Sequence, residues 1–193
     1  VAMRIISGTH KGRVLAAPTW DGLRPTSDRL RETIFNVLAG RVEGATVLDV
    51  CAGTGAIALE ALSRGATRVT CLESDARAVR LIAANAVHCG LDNRCIIIHG
   101  RAPEALTRER VGGPFDLVVL DPPYAAPWLD EAVAAAGRLV AGTGLVMLEH
   151  ASKRAAPEPA GLRLERTRRA GDSALSTYRA VRGTDIRKGP EEP

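Results

Sequence analysis

Between residues 46 and 149 short β-branched, apolar runs alternate with stretches at helical spacing, and this alternation constrains the fold more than any other feature. Strand-like runs fall at 46–50, 69–73, 94–98, 115–120 and 144–149, and helical patterns begin near 55, 76, 102 and 128. Strands separated by helices cannot close as hairpins. Each crosses over to lie parallel to another, which predicts an α/β fold with helices on both faces of a mostly parallel sheet. Two further strand-like segments, 162–166 and 174–181, follow a loop marked by Pro157 and Pro159. Ligands of such sheets sit beyond the carboxyl ends of the strands, so the chemistry is expected just after each run.

The run Phe115-Asp116-Leu117-Val118-Val119-Leu120 ends in Asp121-Pro122-Pro123-Tyr124. Two successive prolines fix φ and remove two N–H donors, leaving the Asp121 and Pro122 carbonyls to face a ligand. An exocyclic amine offers two N–H donors. A carboxylate and a backbone carbonyl can take both while Tyr124 stacks on the ring. The plain alternative is a strand that ends at a Pro-Pro turn.

Upstream, Thr46-Val47-Leu48-Asp49-Val50 leads into Cys51-Ala52-Gly53-Thr54-Gly55 and a helical pattern, the strand, glycine turn and helix start of a nucleotide-binding unit. Gly53 and Gly55 allow close backbone approach, and the helix start presents N–H groups to an anion. The glycines with Glu73 also fit a dinucleotide fingerprint, so they do not choose between NAD and S-adenosylmethionine. Asp49 favours the second, because an acid there opposes a pyrophosphate but can hold an ammonium, directly or through water, while loop amides take the carboxylate. Glu73 would then take both ribose hydroxyls. Taken singly, Asp49 also reads as an N-cap or turn acid and Glu73 as a solvated strand end.

Val47-Leu48-Asp49-Val50-Cys51-Ala52-Gly53-Thr54-Gly55 resembles the first motif of class I methyltransferases, and Asp121-Pro122-Pro123-Tyr124 resembles their amino-methyltransferase motif. Arg4-Ile5-Ile6-Ser7-Gly8, Lys11-Gly12-Arg13 and the stretch from Arg24 to Asn36 are similar to the RsmD family of 16S rRNA guanine-N2 methyltransferases, a likeness running from about Met3 to about Arg182. The resemblance implies a Rossmann-like class I fold with a seven-stranded sheet and a small amino-terminal extension. It implies S-adenosylmethionine as cofactor and a guanine of 16S rRNA on an assembling 30S subunit as substrate. It implies catalytic roles for Asp121, Pro122 and Tyr124, and cofactor contacts from Asn36, Asp49, Cys51, Gly53, Gly55, Glu73, Arg101 and Ala102. Substrate contacts would come from Arg4, Lys11, Arg13, Arg29, Arg31, Pro123 and Trp128, although a tryptophan at a helix start also reads as core packing. One departure stands out. Related enzymes place an acid after the third strand to receive the adenine amine, whereas this chain has Arg101, which accepts no hydrogen bond, so backbone groups near Ala102 or guanidinium stacking would take over.

At 193 residues, with 46% hydrophobic and 3% aromatic content, the chain is sized for one enzyme domain with an aliphatic core. The expected division is a basic RNA-binding arm, hairpin and helix at 1–40, a methyltransferase domain at 41–185 and a disordered tail at 186–193. Residues 1–45 carry a surplus of three cations and residues 151–193 a surplus of four, around a middle that is net negative. That periphery suits phosphates, though a solvated basic surface is the simpler account of the tail. The arm is expected to be mobile until RNA binds. Cys51, Cys71, Cys89 and Cys95 show no metal-ligand spacing and read as small buried residues of a reducing compartment. No membrane span, secretory signal or metal is expected, and a cytoplasmic monomer is. A protein glutamine methyltransferase, a nicotinamide oxidoreductase and a non-catalytic RNA-binding module are the rival readings.

Overall fold

A computed structural model describes residues 3–23 and 26–181. In chain order the elements are α1 (Asp28–Val37), β1 (Thr46–Val50), α2 (Ala56–Ser63), β2 (Arg68–Glu73), α3 (Ala76–Cys89), β3 (Cys95–His99), α4 (Arg108–Val111), β4 (Phe115–Leu120), α5 (Leu129–Leu139), β5 (Val140–Ala151), β6 (Leu162–Ala170) and β7 (Ser173–Ala180). The seven strands form one sheet in the order β3-β2-β1-β4-β5-β7-β6. The first five are parallel, β7 is antiparallel to β5, and β6 to β7. The helix expected near 102 lies later. Residues 101–106 form hydrogen-bonded turns, the Ala105 N–H donating to the Arg101 carbonyl at 2.8 Å, and the helical turn is α4. The tail expected at 186–193 lies outside the described residues.

Strands buried on both faces explain the apolar runs. Val47, Val69, Leu117, Val119 and Met147 point into one core with the arm, α1, α2 and α3, while Leu48, Val50, Val118, Leu120 and Leu148 pack on the other side against α5 and residues 102–111. The strand order reverses between β1 and β4, so the chain leaves these neighbours toward opposite sides and a crevice opens at their carboxyl ends.

The amino-terminal arm is fastened to α2. An isolated bridge pairs Arg4 with Val14, and Ile5 and Leu15 are buried in the α2 side of the core. Gly8 has φ +83°, and a Cβ there would stand 1.9 Å from the Ser63 carbonyl oxygen, so only glycine lets the turn sit on the helix end. Fully buried Glu60 accepts from the Ile6 and Ser7 N–H groups at 2.7 and 2.9 Å and from Arg64 Nε at 2.7 Å. Its second cation is Arg31, with Nη1 3.7 Å away. These contacts bear on two expectations. Residues 4–15 of the arm are held on the core by apolar side chains and a buried carboxylate. Arg31 is fully buried, bonding the Arg4 carbonyl at 3.0 Å and Asp28 at 2.5 Å, and cannot reach a phosphate.

Replacing Glu60 by alanine leaves two amide donors without their acceptor and removes one carboxylate partner each from Arg31 and Arg64. Glu60→Ala is expected to cost about 3 kcal/mol and to lower the thermal midpoint by roughly 10 °C in a calorimetric scan; a midpoint equal to the parent's would show that the cluster does not hold the arm.

Candidate active site

The crevice between β1 and β4 widens into a cavity of about 540 Å³, a size suited to a nucleoside cofactor together with part of a second molecule. The carboxyl-end regions of five strands and the arm supply its walls, with Glu149 of β5 among them. Cys51, Gly53 and Thr54 come from the loop after β1, Glu73 to Asp75 follow β2, Gly100 to Ala102 follow β3, and Asp121 to Tyr124 follow β4. Gly22, Leu23, Thr26, Ser27 and Leu30 of the arm close the top.

The loop after β1 turns sharply because Cys51 adopts φ 62° and Gly53 φ 56°, and the N–H groups of Cys51 and Ala52 both donate to the Leu72 carbonyl, at 2.9 and 3.2 Å. Glu73 staples the loop from the far side. Its Oε2 accepts from the Gly53 N–H at 2.8 Å, while Oε1 takes the N–H groups of Ser74 and Asp75 at 2.7 and 2.9 Å. A carboxylate has about four acceptor positions, so the free capacity lies on Oε2 and suffices for one ribose hydroxyl; the two-hydroxyl expectation narrows accordingly. Gly55 is not at the cavity. At φ +77° it starts α2, and a Cβ there would meet Ile82 Cγ2 at 3.0 Å, so it serves packing of α2 on α3. Asn36 is also misassigned: it is exposed on α1 and does not line the cavity.

Asp49 is fully buried behind the loop and does not line the cavity either. Its Oδ2 accepts from the Ala58 N–H in the first turn of α2 at 3.2 Å, as a helix-start acid does, whereas Oδ1 has no partner among the described residues. Burial pushes its pKa up to about 7, with the Ala58 N–H opposing and the Glu73 charge adding to the rise. The Cys51 thiol is raised by burial and by Glu73, Asp121 and Asp49 together, which marks a strongly negative cavity floor. An orphaned buried oxygen and three carboxylates fit a cofactor carrying a sulfonium and an ammonium, and oppose a pyrophosphate. S-adenosylmethionine therefore fits this chain and a nicotinamide dinucleotide does not.

At the β4 end the Asp121 carboxylate receives the Thr26 hydroxyl at 2.5 Å. Tyr124 is 39% exposed and donates its hydroxyl to Glu149 Oε1 at 3.0 Å. Pro122 is buried and Pro123 exposed, and both border the cavity. Half-buried Trp128 forms a cavity wall and also packs on the core. Arg101 is exposed at the rim and Ala102 buried beside it. Arg4, Lys11, Arg13 and Arg29 are exposed and outside the cavity lining, with Arg13 Nη1 reaching the His88 carbonyl at 3.2 Å. Sequence reasoning missed Thr26, the leucine roof and Glu149. The last had a usable signal, being an acid at the end of an apolar strand like Asp49, Glu73 and Asp121. Among the described residues no helix is long and apolar enough to cross a membrane, and no His, Cys, Asp and Glu cluster is placed to hold a metal ion.

The raised Asp49 gives a pH test. The unfolded chain releases this proton near 3.8 and the folded chain near 7. Between those values the native state binds more protons than the unfolded state, so this group lowers stability as pH rises through the window. Asp49→Asn, which keeps an acceptor for the Ala58 N–H, is expected to melt above the wild type at pH 8 and level with it at pH 4, without ligand. Identical midpoints at pH 8 would show that burying this charge carries no penalty.

Comparison with known proteins agrees with this site. The family described as Conserved hypothetical protein 95 matches residues 3–179. Ribosomal RNA small subunit methyltransferase D of Escherichia coli K12 is 35% identical over 179 residues, covering 91% of this chain and 89% of that protein. The protein of the same name from Haemophilus influenzae is 35% identical over 134 residues, covering 68% and 69%. Among solved structures, the Escherichia coli yhhF protein, a candidate methyltransferase, superposes with a TM-score of 0.83 at 32% identity, covering 93% of this chain and 98% of that one. With a matched family spanning nearly the whole chain and a cofactor cavity of the expected charge, this chain belongs to the Conserved hypothetical protein 95 family, the RsmD family of S-adenosylmethionine-dependent ribosomal RNA methyltransferases.

Proposed function

We propose that this chain methylates the exocyclic N2 amine of a guanine in 16S rRNA, acting as a cytoplasmic monomer on an assembling 30S subunit. The observation that carries the reading is a single cavity joining Glu73 and the β1–α2 loop to Asp121, Pro122 and Tyr124. S-adenosylmethionine supplies an electrophilic methyl on its sulfonium. Everything else is the work of this chain. Residues 1–40 form the RNA-binding part, residues 41–185 the methyltransferase domain.

The guanine N2 lone pair is delocalised into the ring, and removing a proton before transfer would be very costly. The Asp121 carboxylate and the Pro122 carbonyl instead accept the two N–H groups, so the lone pair is turned toward the methyl as nitrogen pyramidalises. Charge developing on nitrogen is stabilised by the same two acceptors. Tyr124 stacks on the base, which must leave its own stack to enter the crevice. The roof formed by Leu23 and Leu30 excludes water, and Trp128 walls the substrate side. Adenine recognition falls to backbone near Ala102 with Arg101 at the rim. The negative floor disfavours the oxidoreductase reading. Exposed Arg4, Lys11, Arg13 and Arg29 favour RNA over a protein glutamine as the acceptor.

The test is transfer of labelled methyl from S-adenosylmethionine to undermethylated 30S particles, naked 16S rRNA and a protein release factor in parallel, with the product identified by mass. N2-methylguanosine in rRNA is expected; label on protein glutamine alone would overturn the reading. Asp121→Ala should lose at least about a hundredfold in turnover with cofactor affinity nearly intact, and substantial residual turnover would reject the mechanism. Removing Arg4 and Lys11 side chains should flatten the salt dependence of RNA binding by roughly one unit of slope per cation. An unchanged slope would move the RNA path off the arm.

A further inference from the structure

Glu149 has no part in the chemistry above, yet it touches both functional side chains of the Asp121-to-Tyr124 turn. It sits near the carboxyl end of β5, is 7% exposed and lines the cavity. Its Oε1 accepts from the Tyr124 hydroxyl at 3.0 Å and from the Ser173 hydroxyl of β7 at 2.6 Å, and the register of β4 on β5, with Leu120 opposite Leu148, sets it beside Asp121 in the cavity wall. We propose that Glu149 is a positioning residue of the transfer reaction, fixing the Tyr124 ring through its hydroxyl and setting a second carboxylate against Asp121 so that Asp121 takes the amine proton once the methyl has moved. The inference rests on the amine methylation proposed above.

Two carboxyl groups in contact inside a crevice do not both ionise freely. Burial and then Glu149 push Asp121 well above the ordinary carboxylate range, Asp49 of β1 adds to the rise, and the Thr26 hydroxyl of the arm opposes it. On the other side, Tyr124 and Ser173 donate their hydroxyls to Glu149. His150 turns its ring to the Ser176 hydroxyl at 2.8 Å, and burial lowers its pKa, so it brings no cation to the pair near neutrality. The Cys51 thiol stays neutral, its pKa raised by burial and then by Glu73, Asp121 and Asp49. Asp121 is thereby more than a hydrogen-bond acceptor: its affinity for a proton is raised above that of an ordinary carboxylate, which suits a group that takes up a proton.

The step balances. The methyl carbon bonds to N2 as its bond to sulfur breaks, that electron pair staying on sulfur. The now positive nitrogen releases one proton to Asp121, keeping the N–H electron pair, and Asp121 returns the proton to solvent after the base departs.

The test is the pH profile of kcat for wild type, Glu149→Gln and Tyr124→Phe, beside a carbon-13 NMR titration of the Asp121 carboxyl that needs no turnover. Wild type should lose activity on the acid side well above the ordinary carboxylate range. Glu149→Gln keeps an acceptor for Tyr124 but removes the charge. Its acid limb and the Asp121 titration should move down by at least about one pH unit, with kcat on the plateau reduced roughly tenfold and KM for RNA unchanged. Tyr124→Phe should raise KM and leave the limb in place. An unmoved limb in Glu149→Gln, an equal shift in Tyr124→Phe, or an ordinary Asp121 titration in the wild type would each overturn the proposal. Should Glu149→Gln not fold, the wild-type titration decides. Failure of wild type to methylate RNA, with the titration as expected, would instead count against the functional reading.

Discussion

A parallel strand buried on both faces has room for a charge only where it ends, and the rest of this structure follows from that constraint. β1, β2, β4 and β5 carry Asp49, Glu73, Asp121 and Glu149 at or just beyond their carboxyl ends, all at one edge of the sheet. The reversal of strand order between β1 and β4 opens a crevice at that same edge. Glu73, Asp121 and Glu149 consequently line one cavity, with Asp49 buried behind its wall and apolar layers on either side. A cationic cofactor is what such a site accepts, and a phosphate-rich one is what it rejects. The same crowding sets Asp121 against Glu149, so the property that selects the cofactor also tunes the acceptor of the amine proton.

The arm supplies what the sheet lacks, which is a roof. Glu60 makes this possible because it accepts the Ile6 and Ser7 N–H groups and two guanidinium groups from one buried position on α2. With the arm held there, Leu23 approaches Gly53 and Thr26 reaches Asp121. Exposed cations and cavity-lining leucines thus belong to one stretch of chain.

Much of this was legible beforehand for physical reasons. The five parallel strands were readable because burial on both faces demands near-continuous apolar runs, and 115–120 was located to the residue. The Asp121-to-Tyr124 turn was readable because two adjacent prolines leave the backbone few alternatives. Other residues misled. Gly55 looks like a ligand-contact glycine, but its freedom is used against Ile82, a partner 27 positions away. Arg31 looks like a surface cation in a basic arm, and only the fold reveals that Glu60 waits beneath it. The plainer reading of Asp49 as a helix-start acid describes one of its oxygens, which accepts from the first turn of α2, while the other has no partner among the described residues.

Local pattern by itself determined the sheet, the strand-end chemistry, the family resemblance and the charge of the cofactor, because each is written in contiguous residues whose periodicity or stiffness leaves one conformation favoured. Tertiary structure decided which side chains meet. Glu149 stands 25 residues from Tyr124 and 28 from Asp121, and Thr26 stands 95 from Asp121. No local rule links such positions. Their contact depends on β5 lying beside β4 and on the arm returning over the crevice, and both follow from long-range packing that no single segment encodes.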